Sequence, residues 1–259
     1  MGAAARRTNL DDGGKLMKNQ THIWVYVKHK YHHFRRLVLA ALGRDHALRA
    51  EVCLKTVRLG RDLCDWVIVP ALLAKDSIIY SVGLGDDVSF DLELIDRIGC
   101  RVCGFEPSPM ALDNLARRDL PPLLAIQPYG WATFDGEQVF GAQGGSDYAV
   151  CVYSKTDDTI TCQVRCPRTV MISLGHDRID LLKMDIEGSE FGVIRQMLNE
   201  NILPGQLLVE FHHRWDCFTL HDTRDLVAEL QRVGYVIFFV SETGNEFSFL
   251  RHDLIGRAS

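Results

Sequence analysis

With 259 residues and 47% hydrophobic content, the chain can bury the core of one large domain. A net charge of −5 argues against a general nucleic-acid binder, because such binding rests on neutralising phosphates. No apolar run reaches the ~18 residues of a membrane span, and no apolar run follows Arg6 and Arg7 as in a secretory signal, so the expected compartment is the cytoplasm.

Residues 1–20 are rich in Gly, Ala and polar side chains and are expected to be loose. Residues 21–65 form a basic arm. Its positive charges are Lys28, Lys30, Arg35, Arg36, Arg44, Arg49, Lys55, Arg58 and Arg61, against Asp45 and Glu51. A strand-like start at 23–27 leads into one or two helices, with Phe34, Leu37, Val38, Ala41 and Leu42 at helical spacing. His29, His32 and His33 lack accompanying carboxylates and read as surface.

From residue 66 to 259 the pattern is that of an α/β domain. Ile78–Gly83 is a buried-type strand and Val88–Ile98 an amphipathic helix carrying Phe90, Leu94 and Ile98 on one face. Strand 101–105, helix 109–118 and strand 123–127 follow, which implies a parallel sheet with right-handed crossovers. Residues 130–168 are rich in Gly, Thr and β-formers, with turn signals at Asp135-Gly136 and Gly144-Gly145, and read as β-hairpins inserted beside the sheet. Strand 179–184, helix 189–198, strand 206–211 and helix 223–233 resume the core. Residues 236–240 and 247–250 flank Thr243-Gly244-Asn245 as a terminal hairpin.

Cys53, Cys64, Cys100, Cys103, Cys151, Cys162, Cys166 and Cys217 are expected to be free thiols. Cys100 and Cys103 stand three apart on a strand, where side chains face opposite sides, so no zinc is assigned to them.

Gly83-Leu-Gly85-Asp86-Asp87 joins the first strand to its helix, and Glu106 ends the second strand, where a carboxylate can take both ribose hydroxyls of a nucleoside cofactor. Two cofactors compete. A dinucleotide needs a third glycine, where this chain has Val88, and a pyrophosphate at the helix N-terminus would meet Asp86 and Asp87. S-adenosylmethionine carries an ammonium and a sulfonium, which tolerate carboxylates. The two aspartates as simple helix caps suit either cofactor.

Asp185 and Glu187 end the strand at 184, and alternation sends both to the same side. Read structurally, they cap the following helix, with Glu190 completing a box-like pattern. Glu210, His212, His213 and Arg214 end the next strand, and either histidine can deprotonate a hydroxyl near neutral pH. Asp185, Glu187, Glu210 and His212 are suitable metal ligands, but their spacing is not diagnostic and no metal is assigned.

The stretches Tyr80–Asp91, Phe105-Glu-Pro-Ser-Pro109, Leu182-Lys-Met-Asp-Ile-Glu-Gly-Ser-Glu190 and Val209-Glu-Phe-His-His213 together resemble the FkbM family of methyltransferases over about residues 66–250. The resemblance implies a class I, Rossmann-like fold: a mainly parallel seven-stranded sheet ending in an antiparallel hairpin. It also implies S-adenosylmethionine as donor, S-adenosylhomocysteine as product, and transfer to a hydroxyl of a small molecule or glycan. On this basis Ser81, Gly83, Gly85, Asp86, Asp87, Ser89, Glu106, Pro107, Ser108, Gly130, Trp131 and Asp185 are expected to bind the cofactor. Asp185, Glu187, His212 and His213 are expected to be catalytic. The alternatives are a non-catalytic scaffold of the same fold and an NAD-dependent oxidoreductase. No nucleic-acid partner is expected, and a homo-oligomer stays open.

Overall fold

Four strands buried along their whole length lie at the middle of the structure: β3 (Ile79–Val82), β4 (Val102–Phe105), β10 (Leu181–Met184) and β11 (Gln206–Glu210), the last buried up to Val209. Such continuous apolar runs can sit only where both sheet faces are covered. The structure is a computed structural model that describes residues 31, 34–36, 38–40, 42, 45–61, 64–142, 150–151, 159–214 and 218–258. Outside the described residues lie the segment 1–20, the strand expected at 23–27, Lys28, Lys30, Leu37, Ala41, Arg44, His29, His32, His33, the Gly144-Gly145 turn and Cys217.

The main sheet has seven strands in the order β12-β13-β11-β10-β3-β4-β5, with β5 at Leu124–Gln127, β12 at Tyr235–Val240 and β13 at Glu246–Arg251. From β11 to β5 neighbours are parallel, and β13 runs antiparallel to both β11 and β12. The order reverses between β3 and β10: the chain builds β4 and β5 on one side of β3, then returns to lay β10 on the other. This reversal opens a crevice at the carboxyl ends of the strands.

Period-two alternation sends side chains of each strand to two separate cores. Tyr80, Val82, Phe105, Leu182, Met184, Leu207 and Val209 enter one core, with helices α3 (Pro167–Leu174), α4 (Glu190–Asn199) and α5 (Leu220–Arg232). Ile79, Val102, Leu181 and Leu208 enter the other, with α1 (Ser89–Ile98) and Leu115 of α2 (Pro109–Ala116). A two-stranded antiparallel ribbon, β1 (Val57–Leu59) and β2 (Trp66–Ile68), joins this second core. Gln206 fixes the ribbon: its amide accepts from Val69 N–H at 2.8 Å and donates to Val69 C=O at 3.1 Å, and the Ser248 hydroxyl donates to Val67 C=O at 2.9 Å.

The inserted segment forms its own four-stranded sheet, β6-β9-β7-β8: β6 at Gly130–Trp131, β7 at Gly136–Ala142, β8 at Val150–Cys151 and β9 at Thr159–Arg165. It closes over Ala132, Phe140, Cys162 and Val164.

Two local differences from the sequence reading have physical causes. Helix α3 begins at the very end of the stretch read as β-rich, which stopped at residue 168, and fills most of the unassigned segment before the strand expected at 179; Pro167 at its first turn and Gly175 at φ 71° as its C-cap are the start and stop signals of a helix. Helix α5 begins three residues earlier than expected, at Leu220, because Thr219 and Asp222 form a capping box. Thr219→Ala is therefore expected to cost about 1 kcal/mol of stability in urea denaturation.

By its contacts the chain divides into residues 1–47 with Glu242–Gly244, and residues 48–241 with 245–259. In the first unit residues 34–36 and 38–40 are helical, and His46 Nε2 lies 2.7 Å from the Gly244 carbonyl oxygen. In the second, residues 48–56 are without helix, and strand β1 follows at Val57. Among the described residues no helix is long and apolar enough to cross a membrane. Cys53, Cys64, Cys100, Cys103, Cys162 and Cys166 are free thiols, and the side chain of Cys151 lies outside the described set.

Candidate active site

The loops after β3 and β10 touch at the crevice, and the contact dictates a residue type. Gly83 has φ 76°, and a Cβ built on it would lie 1.7 Å from the Asp185 carbonyl oxygen, so only glycine fits. Gly83 also receives the Lys183 ammonium, which donates to its carbonyl at 2.5 Å and lies 5.5 Å over the Trp66 ring. Gly85 has φ 55° with open space where a Cβ would stand.

Glu106, at the end of β4, is 5% exposed and holds two loops at once. Its Oε2 accepts from Gly85 N–H at 2.8 Å and its Oε1 accepts from Ser108 N–H at 2.8 Å. Burial raises its pKa, opposed by those two backbone bonds. Each oxygen keeps a second lone pair for a ligand hydroxyl. Asp87 Oδ1 accepts from Ser89 N–H at 2.7 Å, so the protein's own carboxylate engages the first N–H of α1. Asp86 is held from α2, where Asn114 Nδ2 donates to its carboxylate at 3.3 Å, and by Arg118, which donates to its carbonyl at 2.6 Å.

The glycine loop, Asp86, Asp87 and Glu106 line a cleft of about 350 Å³, the size of a small-ligand pocket. Of the expected cofactor residues, Gly83, Gly85, Asp86, Asp87, Glu106, Pro107, Ser108, Gly130, Trp131 and Asp185 line it. Ser81 and Ser89 do not. Ser81 is fully buried within β3, with its hydroxyl toward Asp91, and Ser89 accepts from Arg61 N–H at 2.9 Å. Ser81 belongs to β3 and Ser89 to the first turn of α1, so both stand outside the loop that carries the cleft residues.

The cleft also uses residues that the sequence reading did not select. Phe140, Ile160 and Cys162 of the inserted sheet form a wall beside Trp131, and Trp66, Lys183 and Asp91 stand near the glycine loop. Asp91 is 2% exposed on the buried face of α1, and burial raises its pKa to about 6 despite the charge of Lys183. An acid on the apolar face of a helix was the available signal. For Lys183 the signal was its place two residues before Asp185 on one strand. Trp131 Nε1 and Asp185 Oδ1 are buried polar atoms with no hydrogen-bond partner among the described residues.

At the rim Asp185, Glu187, Glu210 and Glu246 converge, all lining the cleft. Glu187 has φ 55°, unusual for a side-chain-bearing residue, followed by Gly188 at φ 98°. His212 is 8% exposed and lies behind the rim, outside the cleft lining. Its Nδ1 is 3.1 Å from Glu190 Oε1, and its Nε2 is 3.3 Å from Glu187 Oε2 and 3.8 Å from Asp185 Oδ1. Burial disfavours the charged imidazole, but the bond to Glu190 and the charges of Glu190, Asp185 and Glu187 outweigh it and raise the pKa to about 10. Burial raises the Glu187 pKa to about 7 against the pull of His212, with Asp185 and Glu190 adding to the rise. Burial lifts Glu210 well above the usual carboxylate range, reinforced by Asp185 and Glu246. His213 is 3% exposed and is not part of the lining.

The box-like cap of α4, the structural alternative for Asp185 and Glu187, does not form. Its N-cap, Ser189, makes no side-chain cap bond. Glu190 turns inward, fully buried, accepting from Gly188 N–H at 2.8 Å and from His212 N–H at 2.9 Å.

The strand order, the antiparallel end hairpin and a cleft at the switch point define a class I methyltransferase-like α/β domain. The family model described as the methyltransferase FkbM domain matches residues 78–237, more than half of the chain, and the protein belongs to that family. It is 28% identical over 198 residues to the probable methyltransferase-like protein 24 of Rattus norvegicus, covering 71% of this chain and 49% of the relative. Identity to the Homo sapiens protein of the same name is 25% over 197 residues, covering 71% and 48%. The chain thus spans about half the length of the curated relatives it matches. Among solved structures, the FkbM methyltransferase of Methylobacillus flagellatus KT aligns at TM-score 0.43 and 14% identity, over 69% of this chain and 44% of that one. A methyltransferase from Pyrococcus furiosus aligns at 0.37 and 12%, over 69% and 77%.

Proposed function

We propose that the chain transfers a methyl group from S-adenosylmethionine to a hydroxyl oxygen of a small molecule or sugar. The carrying observation is the cleft at the β3/β10 switch point, where a glycine loop, the Glu106 carboxylate and an acidic rim meet. When bound, the donor supplies a methyl already activated on a sulfonium, and S-adenosylhomocysteine is released. The surroundings suit that cationic, phosphate-free donor. Asp87 occupies the helix N-terminus that a pyrophosphate would need, and Asp86 adds a second carboxylate.

In this reading Gly83 and Gly85 let the methionine end approach backbone, and Glu106 accepts from the ribose hydroxyls. Pro107, Ser108, Gly130 and Trp131 flank the adenine. Asp185 faces the donor's ammonium or the acceptor. Glu187 and Glu210 reach the cleft where His212 and His213 do not, so we assign uptake of the acceptor's proton to a rim carboxylate and positioning of that rim to His212.

Calorimetric titration with S-adenosylhomocysteine tests the reading. Saturable binding is expected, weakened about tenfold or more in Glu106→Ala, the loss of a charged hydrogen-bond acceptor. A well-folded native chain that takes up no S-adenosylhomocysteine would remove the assignment.

A further inference from the structure

We propose that Asp185, Glu187 and His212 form a divalent-cation site beside the cleft. One potential ligand atom from each lies within 4.8 Å of the other two. Of the two contacts of His212 Nε2, the 3.3 Å to Glu187 falls within the spacing one ion imposes, and the 3.8 Å to Asp185 lies just beyond it. Metal–ligand bonds of ~2.1 Å set neighbouring donor atoms about 3.0–3.4 Å apart.

Two further observations point to a cation. Asp185 Oδ1 is buried beside His212 Nε2 with no hydrogen-bond partner among the described residues. Glu190, fully buried, engages His212 through Nδ1 and so fixes Nε2 as the nitrogen presented to the two carboxylates. A carboxylate behind an imidazole is the usual support of a metal-ligating histidine.

One imidazole with two carboxylates suits a first-row ion such as Mn²⁺, Fe²⁺ or Zn²⁺ better than Ca²⁺ or Mg²⁺, which favour all-oxygen sets. Asp185 and Glu187 also line the cleft whereas His212 lies behind them, so an ion held there would be open to the cleft. There a cation would orient the acceptor oxygen and lower its pKa, leaving Glu210 to take the proton. That role rests on the methyl-transfer reading; the binding site does not.

The test is calorimetry and electron paramagnetic resonance of the full chain, stripped with chelator and titrated with Mn²⁺ alone. One saturable Mn²⁺ per chain is expected, with affinity falling about tenfold or more in both Glu187→Gln and His212→Gln. Glu187→Gln keeps shape at a partly exposed side chain, so it reports even if His212→Gln fails to fold. No saturable Mn²⁺ uptake by the native chain, or uptake unchanged in Glu187→Gln, would overturn the site and leave a plain ion-paired cluster. S-adenosylhomocysteine titration of the same metal-free sample separates the two readings. Mn²⁺ binding without S-adenosylhomocysteine binding upholds the cation site and removes only the donor assignment.

Discussion

Gly83→Ala is expected to lower the free energy of unfolding by about 3 kcal/mol or more and to abolish S-adenosylhomocysteine binding. The added Cβ would stand 1.7 Å from the Asp185 carbonyl oxygen and 2.8 Å from its carbon, and both are backbone atoms that no rotamer change can clear. Relief requires the β3 and β10 loops to part, and those loops carry both the glycine turn and the first carboxylate of the rim. Gly85→Ala is the matched control. Its φ of 55° is also left-handed, but a Cβ there meets nothing within 4 Å. Its cost is backbone strain alone, about 1–2 kcal/mol. Urea unfolding of the two variants side by side distinguishes these. Equal, mild losses would show that the two loops are not in the contact described.

Glu190→Ala is expected to cost about 3–5 kcal/mol, the effect of removing one partner from a buried charged pair. The Glu190 carboxylate is fully buried and serves Gly188 N–H, His212 N–H and His212 Nδ1. Its loss strands these groups and frees the imidazole that holds Glu187 and Asp185 in place. Glu190→Gln keeps an acceptor and is expected to cost less. Thermal unfolding orders the three proteins: native above Glu190→Gln above Glu190→Ala. A Glu190→Ala protein as stable as the native one would mean that this carboxylate only caps α4, as its position in the sequence suggested.

Much of this architecture was legible in the residues. Strands β3, β4, β5, β10 and β11 are runs of apolar residues bounded by Gly, Pro or acidic residues, and α1 and α4 repeat their apolar positions at helical spacing. Both signals are local, so they survive without knowledge of neighbours. The placing of Gly83, Glu106, Asp185 and Glu187 at a ligand-binding edge followed from their position just after strands of a parallel sheet. Ribbon β1/β2, three residues a side, was too short to signal itself and is held by Gln206 and Ser248, far off in the chain.

By itself, then, the sequence determined the alternation of strands and helices, the glycine turn and the acidic strand ends, because each depends on residues a few positions apart. The tertiary structure decided which loops meet at the switch point, and hence why Gly83 must be glycine. It also decided that the inserted sheet supplies a wall through Phe140, Ile160 and Cys162, that Ser81 and Ser89 stay outside the cleft, and that His212 lies behind the rim. It turned Glu190 from a presumed cap into the anchor of that histidine. These are contacts between residues 20 to more than 100 positions apart, for example Gly83 with Lys183, and no local pattern encodes them; they exist only once the sheet order brings the strand ends together.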